Sequence, residues 1–191
     1  NYNITKTEGT LTVTERNAKY EISPQANSGE FKYDGTEKSV SGFVSDTFEV
    51  EGNTYTVSGL TATATGTDAS SYTVSVTGTA VVKDANNNDL TAQFIVKTVD
   101  GSLTINKRNV TLTSATKEQQ YNGTALTDST VTVSGDGWVE GEGATYSVTG
   151  SRKVVGSSAN AFTYTLNGNT KDSNYNITKT EGTLTVTERN A

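Results

Sequence analysis

Asn1-Tyr-Asn-Ile-Thr-Lys-Thr-Glu-Gly-Thr-Leu-Thr-Val-Thr-Glu-Arg-Asn-Ala18 returns letter for letter as Asn174–Ala191. Identity over that length predicts a tandem array, its period the 173 residues that separate Asn1 from Asn174. The repeated segment itself reads as a β-hairpin. Tyr175 and Ile177 alternate with polar residues, Glu181-Gly182 is a turn pair, and Leu184 and Val186 alternate with threonines. A two-residue turn there would place Ile177 opposite Val186. A lone hairpin is marginal in water, so both copies are expected to belong to larger sheets. Residues 1–18 then read as the terminal hairpin of a preceding repeat, ordered by pairing with itself or with a neighbour. Residues 174–190 are expected to complete their own module in cis, because a tethered segment acts at high effective concentration.

Composition narrows the class. Only 32% of residues are hydrophobic, yet Val, Leu, Ile, Tyr and Phe fall in alternating runs among many threonines. Half-buried strands want that mixture. The chain has no Cys and no His, which removes disulfides, thiol chemistry and histidine bases. A net charge of −6 opposes a nucleic-acid groove, which wants a basic stripe. No apolar run approaches a membrane span, so no membrane contact is expected of these residues.

Taken in order, residues 19–108 read as a first module and 109–191 as a second. Both follow one plan. A short opening strand leads to Tyr33-Asp-Gly35 in one and Tyr121-Asn-Gly123 in the other. A Tyr-x-Val-x-Gly strand follows, at Tyr55–Gly59 and Tyr146–Gly150. Each module closes on Leu-Thr-Ile or Leu-Thr-Val, after Asp100-Gly101 or Glu181-Gly182. No long window keeps a helical period. Short strands at turn-delimited spacing predict an all-β chain of tandem, small, immunoglobulin-like antiparallel β-sandwich modules in an elongated array. The joint around Lys107 holds neither Gly nor Pro and should bend less than a flexible linker.

Tyr33-Asp-Gly35, Tyr121-Asn-Gly123, Tyr55-Thr-Val-Ser-Gly-Leu60, Gly66-Thr-Asp-Ala-Ser-Ser-Tyr72 and Lys171-Asp-Ser-Asn-Tyr175 resemble the tandem MBG-type (YGX) repeats of bacterial surface proteins. The resemblance covers both modules. It implies secreted or wall-attached repeats that serve as spacers or adhesive modules, without catalytic residues. The first module departs from the compact pattern in the long stretch between Tyr72 and Leu103, which includes the Asn-rich loop.

Three features are candidate sites. Asp84, Asn86, Asn88 and Asp89 space oxygen ligands as a calcium loop does, but the Gly and Glu positions of an EF-hand hold Asp89 and Ile95. A plain hairpin loop is the simpler reading, with no cofactor, and calcium is the alternative. Lysines such as Lys107, Lys153 and Lys179 could form an amide bond with Asn or Asp if buried and deprotonated, but none lies in an apolar run. Trp138, beside Glu140 and Glu142 in a Gly-rich loop, could stack on a sugar or contact a partner. The favoured reading is that it plugs the sandwich or seals the joint with the neighbouring module.

The expected function is that of a stalk or spacer repeat outside the cell, attached to surface or wall, with neighbouring repeats as partners. The alternative is an adhesin module that binds a host glycan or surface protein weakly and in many copies. An enzyme is not expected.

Overall fold

A computed structural model describes residues 1–14 and 17–190. Residues 15, 16 and 191, at the edges of the expected segments 1–18 and 109–191, lie outside the described residues. The first strands are β1 Tyr20–Ile22, β2 Gly29–Lys32, β3 Lys38–Ser41, β4 Thr47–Val50, β5 Asn53–Gly66, β6 Ser70–Asp84, β7 Phe94–Val96 and β8 Gly101–Asn106. They continue as β9 Arg108–Ser114, β10 Lys117–Gln120, β11 Val131–Gly135, β12 Ala144–Val148, β13 Gly156–Ala159, β14 Phe162–Leu166, β15 Tyr175–Thr180 and β16 Thr183–Thr187. Single turns of 3-10 helix, Thr91–Gln93 and Asp172–Asn174, directly precede β7 and β15. Among the described residues no α-helix occurs. The all-β class read from the alternation is what forms.

The sheets are mixed, where purely antiparallel ones were expected. Among the described residues β1 runs parallel to β7, β2 to β8, β10 to β16, and β9 to β15. The largest sheet has the order β2-β8-β6-β5-β3, with β4 paired to β5. The chain forms two compact units, each assembled from separate stretches of sequence. One holds residues 1–27, 41–63 and 74–101; the other holds 28–40, 64–73 and 102–191. Strands β8 and β9 are separated by Lys107 alone and belong to different sheets.

In the first unit, Ile22, Val57, Val82 and Phe94 form the core, with Tyr20, Phe48 and Tyr55 packed against it. Ile22, Val57 and Phe94 come from strands in which every second residue turns inward, so the period-2 pattern carries their burial directly, whereas Val82 lies in a stretch of β6 that is half-buried on both sides of it. In the second unit, β9 buries Val110, Leu112 and Ser114, β14 buries Phe162, and β16 buries Leu184 and Val186. Burying a Leu or Phe side chain contributes roughly 1.5–3 kcal/mol, so these few positions carry most of the drive.

The repeated segment is not a hairpin. β15 pairs with β9 in the sheet β11-β9-β15, whereas β16 lies between β10 and β13 in another sheet. Ile177 therefore sits opposite Val110, and Val186 opposite Gln119 and Gly156. Glu181-Gly182 carries the chain from one sheet to the other. The crossing passes close to β9: a Cβ on Gly182 would lie 2.4 Å from the carbonyl oxygens of Ser114 and Ala115. The Ser114 hydroxyl accepts the Gly182 N–H at 3.0 Å and donates to the Asn160 carbonyl at 2.6 Å. Alternation specified two strands but not their partners, and burial on both sides of a core favours the crossing over a bare two-stranded ribbon.

The first copy behaves differently. Residues 1–14 form no strand, and Tyr2, Ile4, Leu11 and Val13 are exposed. Neither the expected Glu8-Gly9 hairpin nor its internal pairing is present. The cause is the same: the matching letters at 175–187 form strands only alongside β9, β10 and β13, and not with each other.

Candidate functional site

The most connected polar cluster lies inside the second unit, where the loop after β2 meets the loop between β11 and β12 and the start of β15. Tyr33 and Tyr175, 4% and 2% exposed, point their hydroxyls at one carboxylate. Glu142 Oε1 accepts from Tyr33 at 2.5 Å and Oε2 accepts from Tyr175 at 2.6 Å. The Tyr175 hydroxyl also accepts the Val139 N–H at 3.1 Å. The rings of Tyr33 and Tyr175 meet edge to face, with centroids 5.7 Å apart.

Neighbouring side chains extend the cluster. Asn174 is fully buried; its Oδ1 accepts the Ala69 N–H at 2.7 Å and its Nδ2 donates to Asp68 at 2.9 Å. Lys171 donates to the other Asp68 oxygen at 2.7 Å. Arg108, the first residue of β9, donates to the carbonyls of Gly137, Tyr33 and Asp136. Lys32 pairs with Asp136 at 2.5 Å. A planar guanidinium suits such a task, because its fixed fork holds several acceptors in one geometry. Together these bonds bind residues 28–40 and 64–73 to residues 102–190.

Burial first, and then the bond to the Glu142 carboxylate, push the Tyr33 hydroxyl up from 10.0 to about 12. The same two causes push Tyr175 up further. Native tyrosines thus hold their protons more tightly than unfolded ones. The Tyr33 contribution is complete below pH 10 and is lost as pH rises through about 12, and that of Tyr175 is lost at higher pH still. Thermal melts across that window should show a steep alkaline fall, and Tyr33→Phe should flatten part of it. A Tyr33→Phe profile that overlays the wild-type one would remove Tyr33 from the titration. In the turn after Tyr33, Lys38 and then Thr36 hold the Asp34 carboxyl down near about 2.

The residues expected to bind a ligand are divided by the structure. Trp138 is half-buried, its ring edge-on to Tyr175 at 4.8 Å and its indole N–H donating to the Tyr146 hydroxyl at 3.2 Å. Glu142 turns inward to the two tyrosines, while Glu140 is exposed. Trp138 and Glu142 therefore meet around Tyr175, and Glu140 does not join them. Alternation and turn signals could place Tyr33 and Tyr175 at strand ends. Nothing in the sequence showed that residues so far apart share one carboxylate.

The Asn-rich loop uses its oxygens internally. Asp84 Oδ1 accepts the N–H groups of Asn86 and Asn88, and its Oδ2 accepts the Asn88 amide. Asp89 accepts the Thr91 N–H and hydroxyl. These bonds hold both carboxyls below the ordinary range, with the Asn88 amide the first cause at Asp84 and the Thr91 hydroxyl at Asp89. Among the described residues, no three His, Cys, Asp or Glu side chains gather where they could hold a metal ion. Of the lysines considered for an amide cross-link, Lys179 lies over the Phe162 ring at 4.9 Å and pairs with Glu181 at 2.8 Å. Among the described residues no helix is long and apolar enough to cross a membrane.

No family model, curated protein or solved structure matches this chain.

Proposed function

We propose that the chain is a stalk or spacer segment of a bacterial surface or secreted protein, built of tandem immunoglobulin-like β-sandwich modules whose partners are neighbouring repeats. The observation that carries this reading is the bonding on either side of Lys107. Tyr33, Asp68 and Ala69, from residues 19–108, are bonded to Glu142 and Asn174, from residues 109–191, inside one compact unit, where Arg108 also donates to the Tyr33 carbonyl. A one-residue link between β8 and β9, with charge-assisted bonds tying the stretches before and after it into that unit, holds position as a spacer must. The polar cluster holds the chain to itself and uses its acids for that purpose. The shared plan of the modules and the repeated eighteen residues support the same reading.

The experiment is replacement in the source protein. Exchanging these residues for an unrelated β-sandwich array of equal contour length should leave display of the remaining protein, and its attachment to surfaces, unchanged. Attachment that disappears with the exchange, and returns only with a segment carrying Trp138, would establish the glycan- or protein-binding reading in its place.

A further inference from the structure

Two turns of this chain share one geometry but not one chemistry. Tyr33-Asp-Gly-Thr36 and Tyr121-Asn-Gly-Thr124 each follow a strand that pairs in parallel with a closing strand, β2 with β8 and β10 with β16. Asp34 and Asn122 each accept the N–H and the hydroxyl of the Thr two residues on. Gly35 and Gly123 have φ of 79° and 81°. The first turn carries an ionised carboxylate, whose second oxygen accepts from Lys38 at 2.5 Å. The second carries a neutral amide, and Leu126 stands where the lysine would be. A carboxylate resists attack, because its charge repels a nucleophile and it has no good group to expel. An amide can expel ammonia, which makes asparagine a thermolabile residue.

Asn-Gly occurs at Asn122-Gly123 and again at Asn167-Gly168. In each pair the attacking atom is the glycine nitrogen, which must swing toward the asparagine Cγ. Glycine favours the swing, since it has no Cβ to hinder it. Both asparagines are exposed, and a Cβ on either glycine would meet nothing within 4 Å, so room does not separate them. Backbone restraint does. Asn167 donates its N–H to the Gly143 carbonyl at 2.9 Å, and its carbonyl accepts the Thr170 N–H at 2.9 Å. Among the described residues, neither the Asn122 backbone nor the Gly123 N–H makes a hydrogen bond. The side-chain carbonyls differ as well. Asn122 Oδ1 accepts the Thr124 N–H at 2.9 Å and the Thr124 hydroxyl at 2.6 Å. Asn167 Oδ1 has one donor among the described residues, the Thr145 hydroxyl at 3.4 Å. Donors aimed at a carbonyl oxygen stabilise the negative charge that attack places on it.

We propose that Asn122 is a site of spontaneous backbone modification, in which the Gly123 nitrogen attacks Asn122 Cγ while Thr124 holds Oδ1. A bond forms between that nitrogen and Cγ, the Cγ–Nδ2 bond breaks, and ammonia leaves with the proton from Gly123. Water then opens the cyclic imide. Its attack at Cγ gives aspartate, and a turn like the one at Asp34. Its attack at the main-chain carbonyl carbon gives isoaspartate, with the chain routed through Cγ. Either product adds a negative charge to the net −6. The isoaspartate form also lengthens the backbone next to Tyr121, whose N–H donates to the Thr187 carbonyl at 2.9 Å, at the end of β16. Ageing of this turn therefore acts on the pairing of β10 with β16. The inference does not rest on the spacer reading.

The test is incubation of the whole chain at mildly alkaline pH, below its melting temperature, with peptide mass spectrometry that separates asparagine, aspartate and isoaspartate. The expected result is conversion of Asn122 several-fold faster than that of Asn167, to a mixture of aspartate and isoaspartate. In urea that unfolds the chain, the two rates should converge, because the dipeptide is the same at both sites. Thr124→Val, at an exposed position, keeps the N–H and removes the hydroxyl. It should slow Asn122 several-fold in the folded chain and leave Asn167 unchanged. Asn122 that stays intact, or converts no faster than Asn167, overturns the proposal. A difference that persists undiminished in urea overturns it too, since its cause would then lie in the sequence and not in the fold. A Thr124→Val rate equal to or above the wild-type one overturns the part assigned to Thr124. The readout is chemical conversion alone, whereas the replacement experiment reads the spacer role, so the two can fail separately.

Discussion

Leu184→Ala should destabilise the second unit by about 2–5 kcal/mol, the range for removing a buried leucine and leaving a cavity. Leu11→Ala, in the same Gly-Thr-Leu-Thr sequence, should change stability by no more than about 0.5 kcal/mol. The difference lies entirely in tertiary placement. Leu184 is fully buried beside Leu126 and Val186 in a strand flanked on both sides, while Leu11 is 99% exposed. Urea unfolding with unchanged m-values for both variants would make the comparison clean. Equal costs for the two substitutions would mean that residues 1–14 fill a core position in solution. The same result would point to exchange of this segment between chains.

Tyr175→Ala should cost about 3–5 kcal/mol, since a buried ring packed against Trp138 and Tyr33 is lost. Removing groups one at a time separates the packing from the bonds. Tyr175→Phe keeps the ring and loses the hydroxyl, and Glu142→Ala leaves the Tyr33 and Tyr175 hydroxyls without their shared acceptor. Each should cost about 1–3 kcal/mol, as expected for a buried polar group deprived of its partner. In a double-mutant cycle, Tyr33→Phe and Glu142→Ala should show a coupling of about 0.5–3 kcal/mol. Additive effects would show that Tyr33 and Glu142 do not act on each other. The claim that this bond stiffens the joint at Lys107 would then fall.

Much of this protein is legible in its letters. Period-2 alternation in runs such as Tyr72-Thr-Val-Ser-Val76 and Leu184-Thr-Val186 is a local property, so strands and their inward faces follow from it. The Tyr-Asp-Gly and Tyr-Asn-Gly turns are local too: a short polar side chain bonds the backbone two residues on, and Gly takes the positive φ. The absence of Cys and His settled, from letters alone, which chemistries these residues lack.

Partner choice was decided only in three dimensions. The letters of Asn174–Thr187 fit a hairpin as well as a crossing between sheets, because alternation says which face is apolar and not which strand lies alongside. The same letters at residues 1–14 form no strand, which shows that the outcome depends on the β9, β10 and β13 edges and not on the segment. The Glu142 cluster is of the same kind. Its members, Tyr33, Asp68, Arg108, Asn174 and Tyr175, are scattered across the chain. Burial makes their bonds strong and leaves no trace in local sequence, since a glutamate in a Gly-rich loop reads the same whether it faces water, as Glu140 does, or two buried hydroxyls, as Glu142 does.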